Sequence, residues 1–507
     1  VSHLITFPFL LPLLAGALLM ACADRPTARK VITVVMGLVG LAVGVALVMR
    51  SVEGPVTYQL GDWPAPFGIS MHLDRLSATM VMLSAVIAAV AVLPAVGVDD
   101  ARSRYALALA QFQVAGINGA FLAGDLFNLF VCFEILLISS YALMVQGNGR
   151  APRAALVYTV INLTGSAIFL IGIGLLYGAT GTLNLADLAV RLQMMPPEVA
   201  ALGVTGAWLV ALVFALKAAM LPVGLWLPGA YAIAGPTAVT LFALLTKVGV
   251  YSLLRVFGPW FGGESALDGI GTALWVGALV SLIFGAMLAL AATTLRRLAG
   301  ALVVGSVATA LLALSIGGTL ALSAALFYTL HSTVAAAACF LVAAALARLR
   351  GEAEDRLDVA PAITGRGNMM LLFLGIAIVV SGLPPLSGFL GKVSVLQAVM
   401  PTPQASWSVT VLLVSSLLTL LAVARAGNAV FLKAPSAPAS EPGMPGGTVT
   451  AVAAGVMLVL SIAMSVFGGP LRQWTDMAAF EVSQLAGPAF APLPDAIPAH
   501  GAHPEIP

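Results

Sequence analysis

Charge is scarce in this sequence. Asp, Glu, Lys and Arg make up 9% of its 507 residues, where soluble domains carry about 25%. Hydrophobic residues reach 60% and mean hydropathy is +1.05, so the chain reads as one all-α polytopic membrane protein rather than a set of soluble domains. Cysteine is scarcer still. Cys22, Cys132 and Cys339 stand far apart, each in or at the end of an apolar run, which leaves no zinc or iron–sulfur spacing. A phosphate-binding loop, a Rossmann glycine pattern and a zinc-protease helix are also missing, and no cofactor is expected. The formal net charge is +2. Its basic residues are spread over short connections without an aromatic–basic groove, which argues against nucleic acid as a partner. The first 22 residues lack the basic start and small-residue cleavage site of a signal peptide and read as a first retained span.

What the chain has is apolar runs. A helix needs about 20 apolar residues to cross a bilayer. Fourteen candidates are visible at 4–22, 31–49, 73–96, 105–122, 126–146, 156–178, 203–229, 236–257, 270–292, 299–316, 320–346, 369–400, 406–431 and 449–468. Fifteen of the 23 Lys and Arg residues fall in alternate connections, five on the other side and three inside spans. Basic residues accumulate on the cytoplasmic side, which places both termini outside. Residues 352–367 read as a charged cytoplasmic loop and 434–447 as a flexible linker. The stretch after about 470, with Pro488, Pro492, Pro494 and Pro498, reads as an extended tail.

Four charged side chains stand out in or beside these spans. Glu134 lies in the middle of the fifth, where the milder insertion scales charge roughly 2.5–3.5 kcal/mol for an ion at the helix centre. It needs a partner or must hold a proton. Lys217 and Lys247 lie in the seventh and eighth spans, each more than two turns from either expected end, too deep to reach an interface. Lys392 follows a break in the twelfth. His331 sits alone in the eleventh, where its ordinary pKa of about 6.5 suits a relay. The plainer readings are a structural ion pair for Glu134, snorkelling for Lys217 and Lys247, a hydrogen-bonded core histidine for His331, and a helix cap for Lys392. Asp74 and Asp125, at the outer ends of spans three and five, are candidates for an ion entrance or ordinary caps.

Two spans look broken. The seventh carries Pro222 and Pro228. The twelfth carries Gly382, Pro384, Pro385, Gly388 and Gly391. Proline removes a backbone donor and clashes with the preceding turn, and freed carbonyls at membrane depth are tolerated only against protein or a wet cavity. The breaks lie five spans apart, which fits two inverted five-helix repeats. The expected divisions are 1–104 (helices 1–3), 105–257 (helices 4–8), 270–431 (helices 9–13) and 432–507 (linker, helix 14 and tail).

The run Gly124-Asp-Leu-Phe-Asn-Leu-Phe-Val-Cys-Phe-Glu-Ile-Leu-Leu-Ile-Ser-Ser-Tyr141 resembles the D-type membrane subunit of the Mrp (Mnh, Pha) multisubunit sodium/proton antiporters. So do Gly61-Asp-Trp-Pro-Ala-Pro-Phe-Gly-Ile69, Leu73-Asp-Arg-Leu-Ser-Ala78, Asn162-Leu-Thr-Gly-Ser-Ala-Ile-Phe-Leu170 and Leu175-Leu-Tyr-Gly-Ala-Thr-Gly-Thr-Leu-Asn184. Lys217 with its proline-rich surroundings and Ser387-Gly-Phe-Leu-Gly-Lys392 are shared more widely, with antiporter-like subunits of complex I and membrane-bound hydrogenases. The resemblance implies fourteen helices and a central hydrophilic axis. It matches Glu134 and Lys217 to the family's fifth- and seventh-helix pair, Lys247 to the eighth-helix base, His331 to the eleventh-helix histidine and Lys392 to the twelfth-helix lysine. One departure stands out: many relatives carry a lysine shortly after that histidine, where this chain has Ala335–Ala338.

The expectation is therefore a proton-translocating subunit of a Na+/H+ antiporter in the bacterial inner membrane. Its partners would be the other subunits of a Mrp-type complex, the lipid bilayer, protons and Na+, with K+ or Li+ as alternative cations. The rivals are a subunit of a redox-driven pump and a scaffold that has lost transport.

Overall fold

The computed structural model describes residues 2–65, 67–96, 104–146, 152–192, 194–260, 267–358, 365–433 and 446–484. Among them, twelve helices are long and apolar enough to cross a membrane, and two shorter apolar helices, Ala106–Leu122 and Arg366–Ser381, stand where two further spans are expected. In chain order the bundle runs α1 (Phe7–Ala21), α2 (Pro26–Ser51), α3 (Arg75–Ala91), α4 (Ala106–Leu122), α5 (Leu126–Val145), α6 (Pro152–Thr180), α7a (Pro197–Lys217), α7b (Leu227–Ile233), α8 (Pro236–Phe257), α9 (Asp268–Ala291), α10 (Leu295–Leu314), α11 (Gly318–Leu349), α12a (Arg366–Ser381), α12b (Ser387–Val399), α13 (Ala405–Gly427), α14 (Gly447–Val466) and α15 (Gly468–Gln484). A small antiparallel hairpin, β1 (Val56–Gln59) on β2 (Ser70–Leu73), bridges α2 and α3. The fourteen expected spans are present, with the seventh and twelfth each in two pieces.

Helix starts follow local chemistry. Pro occupies the first turn of α2, α7a, α7b and α8, where its missing donor costs nothing. Asp74, Asp125 and Thr294 accept backbone N–H bonds at the starts of α3, α5 and α10, satisfying donors that lipid could not. α8 and α11 are enclosed on all sides, while α2 fully buries only Thr33, Gly44, Leu47 and Ser51. Small side chains let the central helices approach. α11 carries Ala335–Ala338 and Ala343–Ala345, all buried, which is how helices pack where lipid removes the hydrophobic drive between them.

Contacts between chain-distant ends sort into two sets. On the hairpin face, Asp74 meets Arg255, Arg75 meets Glu481 and Ser323 meets Asp476. On the opposite face, Arg29 reaches the Arg104 carbonyl, Arg425 the Ala292 carbonyl, Arg296 Asp355, and Arg348 Thr450. This is the alternation that fourteen crossings require.

One expectation fails. The chain beyond residue 470 does not run straight into an extended tail: Gly468–Gln484 form α15. Its buried Thr475, Ala478, Ala479 and Val482 recur at i, i+3, i+4 and i+7, the stripe of an amphipathic helix. The prolines from Pro488 onward, the linker 434–445, and the connections at 97–103, 147–151 and 359–364 lie outside the described residues.

Candidate functional site

The seventh span ends its first helix at Lys217. The sequence reading puts this lysine more than two turns from either end. It is instead the last helical residue before an irregular stretch in which Ala219 has φ 59°. The side chain is only 4% exposed, because α8 presses onto the break. A Cβ at Gly249 would lie 2.4 Å from the Ala218 nitrogen, so only glycine permits this approach. Lys217 Nζ donates to the Asn162 carbonyl at 3.1 Å and lies 3.5 Å from both Asn162 Oδ1 and Ser166 Oγ. It also stands 5.9 Å from the centre of the Phe133 ring, a distance at which a cation is attracted to the ring face.

Glu134 is one residue beyond Phe133 on α5. Its Oε1 is buried without a hydrogen-bond partner. It lies within electrostatic reach of Lys217, yet no ion pair joins the two among the described residues. The expected contact pair is thus apart in this conformation. Two turns along the same face, the Tyr141 hydroxyl is also unpartnered, beside Tyr158, whose hydroxyl bonds Ser140 Oγ at 2.7 Å.

Lys247 is completely buried on α8. Its Nζ donates to Ser306 Oγ of α10 at 3.3 Å. Ser306 in turn lines a cavity of about 50 Å³ bounded by Thr309, Ser332, Ser415 and Ser416, with His331 and Lys392 at its wall. By volume this admits about one or two waters, and its hydroxyls supply the polar partners that water needs. His331, 3% exposed, places Nδ1 2.9 Å from Ser387 Oγ at the start of α12b. Gly388 allows that contact, since a Cβ there would come 2.1 Å from the Val379 carbonyl and 3.1 Å from the histidine ring. Lys392 Nζ donates to the Ser381 carbonyl, at the end of α12a, and to Ser416 Oγ, both at 2.9 Å.

Of the four-alanine run, Ala335 and Ala336 face the cavity, while Ala337 and Ala338 pack into the core. The polar lining that alanine cannot supply comes from α10, α13 and Ser332 of α11. Sequence reasoning misses these hydroxyls, because serine and threonine recur throughout the spans and carry no spacing signal.

Asp74 and Asp125 both cap helices. The Asp74 carboxylate accepts Ser77 N at 2.8 Å and holds Arg255 through two bonds of 2.5 and 2.8 Å. Burial pushes this carboxyl up, but the Arg255 guanidinium outweighs it and holds Asp74 well below the usual carboxylate range. Asp125 accepts Asn128 N at 2.6 Å and Ser70 N at 3.2 Å. From sequence, Arg255 reads as a connection charge. It is 4% exposed, near the end of α8. The spacing of Lys247, Tyr251 and Arg255 on one helical face is the signal that could have found it.

A family described as "NADH:quinone oxidoreductase/Mrp antiporter, TM" matches residues 123–420. The chain is 37% identical over 474 residues to the D subunit of a probable K(+)/H(+) antiporter of Rhizobium meliloti (strain 1021), covering 85% of this chain and 87% of that one. It is 35% identical over 432 residues to the D subunit of a Na(+)/H(+) antiporter of Bacillus subtilis (strain 168), covering 84% and 86%. Among solved structures, a chain of the Mrp complex from Dietzia sp. DQ12-45-1b superposes with a TM-score of 0.82 at 27% identity, over 96% of this chain and 98% of that one. A chain of respiratory complex I from Thermus thermophilus shares the fold, with a TM-score of 0.75 at 23% identity over 95% and 100%.

Proposed function

The chain belongs to the NADH:quinone oxidoreductase/Mrp antiporter family of membrane subunits and is of the D type among antiporter subunits, and from that premise we propose that it moves protons along Glu134, Lys217, Lys247, His331 and Lys392 in a multisubunit monovalent cation/proton antiporter. The observation that carries this reading is the cavity inside the second half, which Lys247 of the first half reaches through Ser306 and at whose wall His331 and Lys392 stand. Buried ionisable groups inside membrane helices mark ion paths.

The separation of Glu134 from Lys217 is one state of a switch. When Lys217 swings to Glu134, the pair is neutralised. When it swings back to Asn162 it has lost its counter-charge, and its proton passes to Lys247. From there, water in the cavity carries it to His331 and Lys392. The membrane potential drives the transfer with about 2.3 kcal/mol per charge per 100 mV. Residues 105–257 and 270–431 act as two inverted units, each with its lysine at a helix break. The hairpin face lies outside, the opposite face in the bacterial cytoplasm, and the partners are other subunits of a Mrp-type complex.

The exchanged cation is Na+ or K+, as the relatives' names suggest. The redox-pump alternative has likeness of fold behind it, whereas the antiporter reading has two D-type antiporter relatives above 30% identity. The test is cation-dependent proton exchange in vesicles bearing the whole complex, with this subunit present or omitted. Exchange that persists unchanged without it would end this reading. Impermeant thiol labelling of cysteines placed at Gly181 and at Arg297 tests the orientation, with labelling of position 297 from outside as the contrary result.

A further inference from the structure

Lys247 has a second neighbourhood, on the hairpin side. Tyr251 and Arg255 follow it at i+4 and i+8 on α8, so the line from Lys247 to Arg255 is about 12 Å long. Arg255 Nε donates to the Tyr251 hydroxyl at 3.1 Å, and that hydroxyl donates to the Phe121 carbonyl of α4 at 2.6 Å. The guanidinium's other two nitrogens hold the Asp74 carboxylate. Tyr251, Arg255, Asp74 and Phe121 are all buried. Beyond Asp74 stands His72, with Nε2 3.7 Å from the carboxylate and a side chain 16% exposed. The charged groups closing the other flank are Arg75 and Glu481, with the Arg75 backbone N–H bonded to Glu481 at 3.0 Å.

We propose that Tyr251 and Arg255 form a proton-tight plug, on the cavity side of Asp74, that keeps a proton on Lys247 from leaving through the hairpin face and commits it to the cavity beside Ser306. Relay along hydrogen bonds needs groups that accept a proton and pass another on. A guanidinium does not release its proton in a protein. The tyrosine's own proton points at an amide carbonyl, which is a dead end. The Tyr251 hydroxyl and all three Arg255 nitrogens are engaged, and the one good acceptor, Asp74, lies beyond the arginine. The plug rests on Lys247 being a proton carrier, as proposed above.

Arg255→Lys separates this from a merely structural ion pair. The lysine keeps the positive charge beside Asp74 but can lose its proton, so it turns a barrier into a link. In vesicles bearing the complete complex, under an imposed potential and without exchangeable cation, proton leak should rise about tenfold or more over wild type, the scale of restoring a titratable relay group. Asp74→Asn, which leaves the arginine in place, should stay tight. Adding Lys247→Ala to Arg255→Lys should abolish the leak. An assembled Arg255→Lys complex as tight as wild type would overturn the plug, as would failure of both Arg255→Lys and Arg255→His to assemble, which would make the pair a folding element. Unchanged cation-dependent exchange in Lys247→Ala alone would instead overturn the path itself, so the two failures are distinguishable.

Discussion

The two lysines at helix breaks occupy opposite environments. Lys217 is set over an aromatic ring, bonded to the Asn162 carbonyl with Asn162 Oδ1 and Ser166 Oγ at 3.5 Å, and its acid stands apart and unpartnered. Lys392 stands at a hydroxyl-lined cavity and satisfies itself on a broken helix end and a serine. Where acid and base stand apart, a proton's position depends on side-chain movement, whereas a hydroxyl-lined cavity lets water stand in for a missing side chain. On the proposed path the first half switches and the second conducts, with cavity water serving beside Ala335 and Ala336.

The sharpest way to break this contrast is Lys217→Ala. With Glu134 left without its base, exchange by the assembled complex should fall by on the order of 100-fold or more, the scale of losing a positioned proton-transfer group. Wild-type exchange would mean that Lys217 is structural and the first half no switch.

Next comes His331→Ala, expected to be severely impaired because the cavity loses its one imidazole. Ala336→Lys in the same chain should restore part of the exchange, since position 336 faces the cavity. Near-normal exchange in His331→Ala would mean that protons leave through Glu134, Lys217 and Lys247 alone.

A smaller effect tests the water. Ala336→Leu fills the cavity with methyl groups and should slow exchange about tenfold, roughly 1.4 kcal/mol of barrier. Ala308→Leu, away from the cavity lining, serves as a packing control. Equal loss in both would remove the case for conducting water.

The smallest effect on transport belongs to Asp74→Asn, with exchange by assembled complexes changed less than about twofold, because the carboxylate serves packing rather than relay. Its effect on thermal stability is larger and depends on pH. The folded Asp74 carboxyl is held below its unfolded range, so its contribution is full at neutral pH and is lost as pH falls through about 4 toward the lower folded value. The stability gap between wild type and Asp74→Asn should thus be constant from pH 7 to about 5 and close below about 4. A gap that ignores acid would show that the pair contributes nothing.

The spans are legible in sequence because each must bury about 20 apolar residues, and the breaks because proline cannot hide in a helix interior. Glu134, Lys217, Lys247, His331 and Lys392 are legible because ionisable groups are rare at membrane depth. Arg255 is hidden by its place near a helix end, where a charge reads as part of a connection, and its partner lies 181 residues away in sequence. The cavity is hidden because it belongs to five spans at once, α9 to α13. α15 is hidden because its polar and apolar residues nearly cancel, so that only its periodicity distinguishes it from a tail.

That last helix has a consequence for how the chain is made. α15 ties its Glu481 to Arg75 and its Trp474 to Thr79 at 2.7 Å, both at the start of α3, and its Asp476 to Ser323 on α11. Arg75 and Glu481 are 406 residues apart. At 5–20 residues per second, a ribosome takes roughly 20–80 s to cover that distance. Throughout that interval the hairpin face stands open and Arg75 has no Glu481 to bind, so the face is closed only once α15 has left the ribosome.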